Sequence, residues 1–92
     1  MIEVHRIDDE TYTVKVLADR NTEHRVTMED GFYRKLTNGD ILPEELIEQS
    51  FQFLMERELN NEIFSSFDLS MIPMHFPEYE KEMSRRFARG TV

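Results

Sequence analysis

The sequence TYTVKVLADRNTEHRV, residues 11–26, alternates apolar and polar side chains with a period of two. This alternation is typical of strands that bury one face, because successive side chains of a strand point to opposite sides of the sheet. The polar run around Asn21 interrupts the pattern, and asparagine tolerates the left-handed backbone of a tight turn. Residues 11–26 therefore predict two antiparallel strands, and the alternation of Ile2 and Val4 predicts a third strand before them.

A short helix is predicted directly after these strands. Met28, Phe32 and Leu36 recur every four residues, which is the spacing of one face of a helix. Thr27 precedes them and can cap the helix by accepting a hydrogen bond from a backbone amide of the first turn. The pair Asn38–Gly39 is typical of a left-handed helix end, so the helix is expected to stop there.

The longest predicted helix begins at Pro43 and ends near Leu59. Proline fits the first helical position, since the N–H that it lacks would have no helical partner there. The apolar stripe of this helix consists of Leu46, Ile47, Ser50, Phe51, Leu54 and Met55. Phe53 lies about 100° or more away from the stripe, so it either packs against a second element or contacts a partner.

The last third of the chain is rich in apolar residues and is interrupted by proline. Pro73 and Pro77 predict short, irregular pieces of helix, because proline removes a backbone donor and clashes with the preceding turn. Tyr79, Met83 and Phe87 then recur every four residues and predict a final amphipathic helix.

Together these elements predict an α+β fold, with strands first and helices after them. We expect a three-stranded antiparallel sheet, a meander, covered on one face by three to five helices. At 92 residues the chain is expected to form one domain. The sheet would occupy residues 1–28, the helical cover residues 29–88 and a tail residues 89–92.

Composition restricts the chemistry. The chain carries 19 acidic and 11 basic side chains, a formal net charge of -8, and no cysteine. Disulfides, thiolate zinc sites and a cysteine nucleophile are therefore excluded. There is no run of about 18 apolar residues and no signal-peptide pattern, so we expect a cytoplasmic protein without a membrane span. Residues 43–82 hold 10 acidic and 2 basic side chains, and only Arg85, Arg86 and Arg89 follow them, so nucleic acid is not an expected partner.

Two stretches, EELIEQSFQFLMERE (residues 44–58) and SSFDLSMIPMHFPEYE (residues 65–80), resemble a family of short, functionally uncharacterised bacterial proteins. The resemblance implies a compact α+β protein and transfers no functional residue. The strand predicted at residues 23–26, followed by two helices, is also similar in architecture to ribbon-helix-helix regulators. The chain departs from that pattern because two strands come first and the candidate ribbon has Arg25 as its one base.

The sequence predicts no catalytic residue, no cofactor and no metal site. His5, His24 and His75 are the only side chains with an ordinary pKa near neutral pH. A metal-dependent enzyme would require His5 and His24, or His75, to converge. We expect His5 and His24 at the edge of a small sheet instead.

The apolar segment 64–79 is the strongest candidate for a binding surface. Methionine and aromatic side chains are typical of adaptable contact surfaces, although filling of the core explains the same composition. The function predicted is that of a small, non-catalytic interaction or adaptor domain that binds a protein partner or a second copy. The alternatives are an antitoxin-type or ribbon-helix-helix-like regulator and a metal-dependent enzyme. The candidate contact residues are Phe53, Phe64, Phe67, Met71, Met74 and Phe76.

Overall fold

The structure, a computed structural model, describes residues 1–87. Within that range, four strands form one sheet in chain order: β1 (Ile2–Arg6), β2 (Thr11–Leu17), β3 (Asn21–Thr27) and β4 (Ser66–Asp68). The helices described are α1 (Asp30–Thr37), α2 (Pro43–Met55), α3 (Met71–His75) and α4 (Tyr79–Arg86), with a 3₁₀ turn at Asn60–Glu62. The predicted tail, with Arg89, lies outside the described residues.

β1, β2 and β3 form the antiparallel meander that the alternation predicts. Val14 and Val16 of β2 and Val26 of β3 are fully buried, whereas Lys15 and Arg25, which point the other way, are exposed. One face of the sheet is therefore covered and the other is bare, and the predicted α+β class is confirmed.

The sheet has a fourth strand, which the sequence pattern did not predict. Ser66–Asp68 pairs in parallel with β3. The Arg25 amide donates to the Ser65 carbonyl at 2.7 Å, and the Leu69 amide donates to the Thr27 carbonyl at 2.8 Å. The prediction of a three-stranded sheet is therefore wrong, and the fourth strand lies within residues 29–88, which were expected to be helical. Three residues are too few to show an alternating pattern, and the partner strand lies far away in the sequence.

α1 begins later than predicted and ends where predicted. Thr27 does not cap it, because this residue still belongs to β3 and its hydroxyl donates to Asp68 at 2.6 Å. Glu29 occupies the capping position and makes no side-chain capping bond. Asn38 and Gly39 end the helix with φ angles of 57° and 78°, in the left-handed region that these two residues tolerate best.

α2 lies between the sheet and α4. The ring of Phe51 lies 5.2 Å from that of His24 in β3, and the ring of Phe53 lies 5.4 Å from that of Tyr79 in α4. The helix ends at Met55, before the predicted Leu59. Met55 is half-buried. The other residues of the predicted stripe are buried: Leu46, Ile47, Ser50, Phe51 and Leu54.

The two prolines shape the last third of the chain as expected. Pro73 lies in the first turn of α3, where proline is tolerated, and Pro77 separates α3 from α4. Tyr79 and Met83 of α4 are fully buried, which confirms the predicted amphipathic helix. The Tyr79 hydroxyl lies 2.7 Å from the hydroxyl of Ser50 in α2, so the polar groups of this buried contact are paired.

Candidate functional site

The structure separates the histidines. His24 is buried on the covered face of β3, so its predicted place at an exposed sheet edge is wrong. His5 lies opposite Thr13 and therefore points to the bare face, with β2 between it and His24. His75 lies exposed in α3. The convergence that a metal-dependent enzyme would need is absent, and residues 1–87 contain no group of three or more His, Asp or Glu side chains placed to hold a metal ion.

His24 belongs to a buried chain of hydrogen bonds. Its Nδ1 lies 2.7 Å from the carbonyl oxygen of Phe64. A carbonyl only accepts, so Nδ1 donates, and Nε2 lies within hydrogen-bond distance of the hydroxyl of Thr22, at 2.9 Å. Asn60 Nδ2 donates to the same hydroxyl at 2.9 Å and to the Arg20 carbonyl at 2.8 Å. The chain of bonds fixes the segment from Asn60 to Phe64 against β3.

A groove of about 170 Å³ opens where this segment, β4 and α3 meet. Its lining is mostly apolar and includes the buried side chains of Leu54, Ile63, Phe67 and Ile72. Phe64, Met71 and Phe76 also line it, and the polar side chains at its border are Glu58, Glu62 and His75. We refer to this feature as the apolar groove. The carboxylate of Glu62 also accepts a hydrogen bond from the Leu59 amide at 3.0 Å. This bond holds one carboxylate of the groove border against the 3₁₀ turn.

Five of the six predicted contact residues fall into three groups. Phe64 is 56% exposed and Met74, on α3, is 79% exposed. Met71 and Phe76 are half-buried and line the apolar groove. Phe67 is buried in the groove lining, and so it offers little contact surface.

Phe53 does not reach the surface. Its side chain is fully buried, and its ring is steeply inclined to the rings of Tyr79 and Phe76, at centroid distances of 5.4 and 5.9 Å. The Arg57 guanidinium lies 3.6 Å above the ring centroid and covers the remaining side. Of the two possibilities that the helix spacing left open, the structure shows packing against a second element.

Several groove residues were not among the predicted contacts. Ile63 and Ile72 come from segments too short for their spacing to predict a shared cavity. Glu58 and Glu62 stand four residues apart around an exposed leucine, Leu59, and this acidic pair was the one sequence signal near the rim.

Arg85 and Arg86, the two basic residues of α4 that follow Met83, form ion pairs within the molecule. Arg85 and Arg86 bind Glu82 at 2.6 and 2.8 Å, and Arg86 also binds Glu56, just beyond the end of α2, at 2.9 Å. Hydrogen bonds from Arg85 and Arg86 lower the pKa of Glu82 from 4.5 to about 2. These two arginines neutralise neighbouring carboxylates, which leaves them poorly suited to binding phosphates.

No protein-family model, curated protein sequence or solved structure matches the chain. The resemblance to short bacterial proteins and the similarity to ribbon-helix-helix regulators therefore stay predictions. No helix among residues 1–87 has the length and apolar character needed to cross a membrane. The apolar groove is the feature of the described residues from which a function can be inferred.

Proposed function

We propose that this chain is a small, non-catalytic interaction module that binds a basic, amphipathic peptide segment of a partner protein in the apolar groove. The observation that carries the proposal is the exposed ring of Phe64, which borders an apolar cavity with two carboxylates at its rim. Exposed apolar surface rimmed by polar residues is typical of binding sites. The proposed location is the cytoplasm, as expected from the sequence.

The size of the groove favours a side chain over a cofactor. Small-molecule sites usually enclose about 300–1,000 Å³, whereas a dry cavity of about 150 Å³ accepts a molecule the size of benzene. The apolar groove, at about 170 Å³, matches one aromatic or large aliphatic side chain. Its exposed neighbours, Phe64 and Met74, would contact the residues on either side of that anchor.

The charge of the rim indicates the chemistry of the partner. Glu58 and Glu62 border the groove, and residues 43–82 carry 10 acidic against 2 basic side chains. A lysine or arginine next to the apolar anchor residue of the partner peptide would complement this negative charge. Exposed ion pairs contribute only about 0–1 kcal/mol each, so they would set the rate and orientation of binding while the anchor supplies most of the affinity.

A selection from random 12-residue peptides displayed on phage tests the proposal. Peptides are selected on the wild-type chain and counter-selected on Phe64→Asp, which alters an exposed ring. We expect the selected peptides to share one large apolar residue flanked by lysine or arginine. Their binding to Phe64→Asp should weaken at least about tenfold, because a central apolar contact contributes about 2 kcal/mol or more and a factor of ten corresponds to about 1.4 kcal/mol.

Leu42→Asp is the matched control, because Leu42 is 66% exposed at the start of α2 and does not line the apolar groove. Both variants should keep the wild-type circular dichroism spectrum, and Leu42→Asp should keep wild-type affinity. Methyl resonances of Ile63 and Ile72 should shift on titration with a selected peptide. The proposal fails if no selected peptide depends on Phe64, or if the methyl shifts lie elsewhere.

A further inference from the structure

β1 is an outer strand of the sheet, and its register determines which of its backbone groups are free. Met1 and Leu17 exchange two backbone hydrogen bonds of 2.8 Å. Hydrogen-bonded pairs alternate with non-bonded pairs along an antiparallel ladder. The N–H and C=O groups of the odd-numbered residues of β1 therefore form hydrogen bonds with β2. The backbone groups of Ile2, Val4 and Arg6 point away from the sheet.

This free edge has few of the features that usually protect an outer strand. β1 is five residues long and contains no proline, whereas β4 at the opposite edge has three residues. Ile2 and Val4 are only half-buried on the covered face. At the two ends of β1, Met1 and Ile7 are 78% and 51% exposed. No strand among residues 1–87 pairs with this edge, which therefore offers both unpaired backbone groups and exposed apolar side chains.

We propose that β1 pairs in antiparallel fashion with β1 of a second copy of this chain, about a two-fold axis at Val4. In this register Val4 lies opposite Val4 of the second copy, and Ile2 lies opposite Arg6 of the second copy. All three outward residues are then paired, and each bonded pair exchanges two hydrogen bonds. The two sheets become one continuous sheet, with the covered faces on the same side.

The side chains on the bare face complement one another in this register. Met1, just before the strand, lies level with Ile7 of the second copy, and both residues are exposed and apolar. Glu3 faces His5 of the second copy, so an acid meets a base. Sliding one strand by two residues would instead place Glu3 opposite Glu3, or His5 opposite His5, and like groups directly opposite each other are unfavourable. This self-complementarity selects a second copy as the occupant of the edge.

The proposed pairing is independent of the apolar groove. The groove is lined by Phe67 of β4, at the opposite edge of the sheet from β1. On the covered face the second copy would shield Ile2 and Val4, which are half-buried, and would approach the cavity that Ile2 and Met55 line together with Glu48 and Glu56. Each copy in the pair would keep its own groove open.

Sedimentation equilibrium over a range of concentrations, in buffer of about 0.15 M ionic strength, tests the pairing. We expect the mass to rise from 11.1 kDa toward twice that value. Val4→Pro should stay monomeric, because it removes an outward N–H and no bond to β2, and proline is tolerated in edge strands. Ser66→Pro is the matched control at the β4 edge, where the Ser66 N–H also points outward, and it should still dimerise.

Two substitutions of His5 provide a second test that does not depend on the proline variant. His5→Glu places two like-charged pairs in the dimer and should weaken it by roughly twofold to thirtyfold, whereas His5→Lys should strengthen it. The Val4 amide should also exchange more slowly with solvent as concentration rises. The proposal is overturned if the wild-type chain stays at 11.1 kDa up to about 1 mM. It is equally overturned if a folded Val4→Pro variant dimerises, or if both His5 variants dissociate like the wild type.

Discussion

At the scale of single residues, Leu42 marks a place where α2 lacks a stabilising contact. Its backbone has φ −67° and ψ 146°, the extended conformation of a residue that caps a helix, yet its side chain offers no acceptor and is 66% exposed. The helix relies instead on Pro43 at its first position and on Glu44 and Glu45 in its first turn, beside the positive end of the helix dipole.

We predict that Leu42→Ser raises the free energy of unfolding by about 1 kcal/mol, because the serine hydroxyl can accept a hydrogen bond from an unpaired amide of the first turn. Serine is preferred to aspartate here, since it adds no charge beside Glu44 and Glu45. Urea denaturation measures the difference. Leu42→Ala removes the same exposed side chain without supplying an acceptor, so equal stability of the two variants would contradict the prediction.

Phe64 and Phe67 show why the candidate site could be predicted only in part. The two residues have the same side chain and stand three positions apart, and one is exposed while the other is buried. Phe67 is buried because β4 pairs with β3 and places it opposite Val26. Phe64 lies before the strand and is held by its backbone carbonyl, which accepts from His24. Neither contact is local, so no spacing in the sequence distinguishes them.

At the scale of elements, the predictable parts are those whose own length shows a period. β2 and β3 have seven residues each and α2 has 13, so their alternation or apolar stripe can be recognised in the sequence. The 3₁₀ turn and β4 have three residues each and depend on partners from β3. The side chains of Thr22, His24 and Asn60 supply part of that support through their chain of hydrogen bonds.

We predict that Asn60→Ala lowers the free energy of unfolding by about 1–3 kcal/mol, because Thr22 and Arg20 each lose a hydrogen bond in a partly buried setting. The amides of the 3₁₀ turn should also exchange faster with solvent, since the segment loses its tie to β3. Asn61→Ala is the matched control, because Asn61 is exposed in the same turn. Equal exchange rates in the two variants would show that the hydrogen bonds of Asn60 do not hold the segment from Asn60 to Phe64 against β3.

At the scale of the whole molecule, ion pairs join the helices to one another. Arg86 of α4 binds Glu56 beyond the end of α2, Arg57 binds Glu78 just before α4, and Lys35 of α1 binds Glu80 of α4. The buried face of α4 packs on α2, and these ion pairs lie around that contact. Acid protonates the carboxylates of these ion pairs, and protonation removes their attraction to the bases. We therefore expect low pH to weaken the packing of the helices on one another.

We predict that Glu82 makes the stability of the fold sensitive to acid through its ion pairs within α4. Its pKa falls from 4.5 to about 2 in the folded chain, because Arg85 and Arg86 donate hydrogen bonds to its carboxylate. A carboxylate with a lowered folded pKa stabilises the fold fully above its unfolded pKa, and this stabilisation is lost as the pH falls from about 4.5 toward 2. Glu82→Gln should therefore be less stable than the wild type at pH 7, and the difference should vanish near pH 2. Urea denaturation across this range measures the effect, with Glu10→Gln, at an exposed position outside the helices, as the control for net charge. Parallel pH curves for the wild type and Glu82→Gln would contradict it.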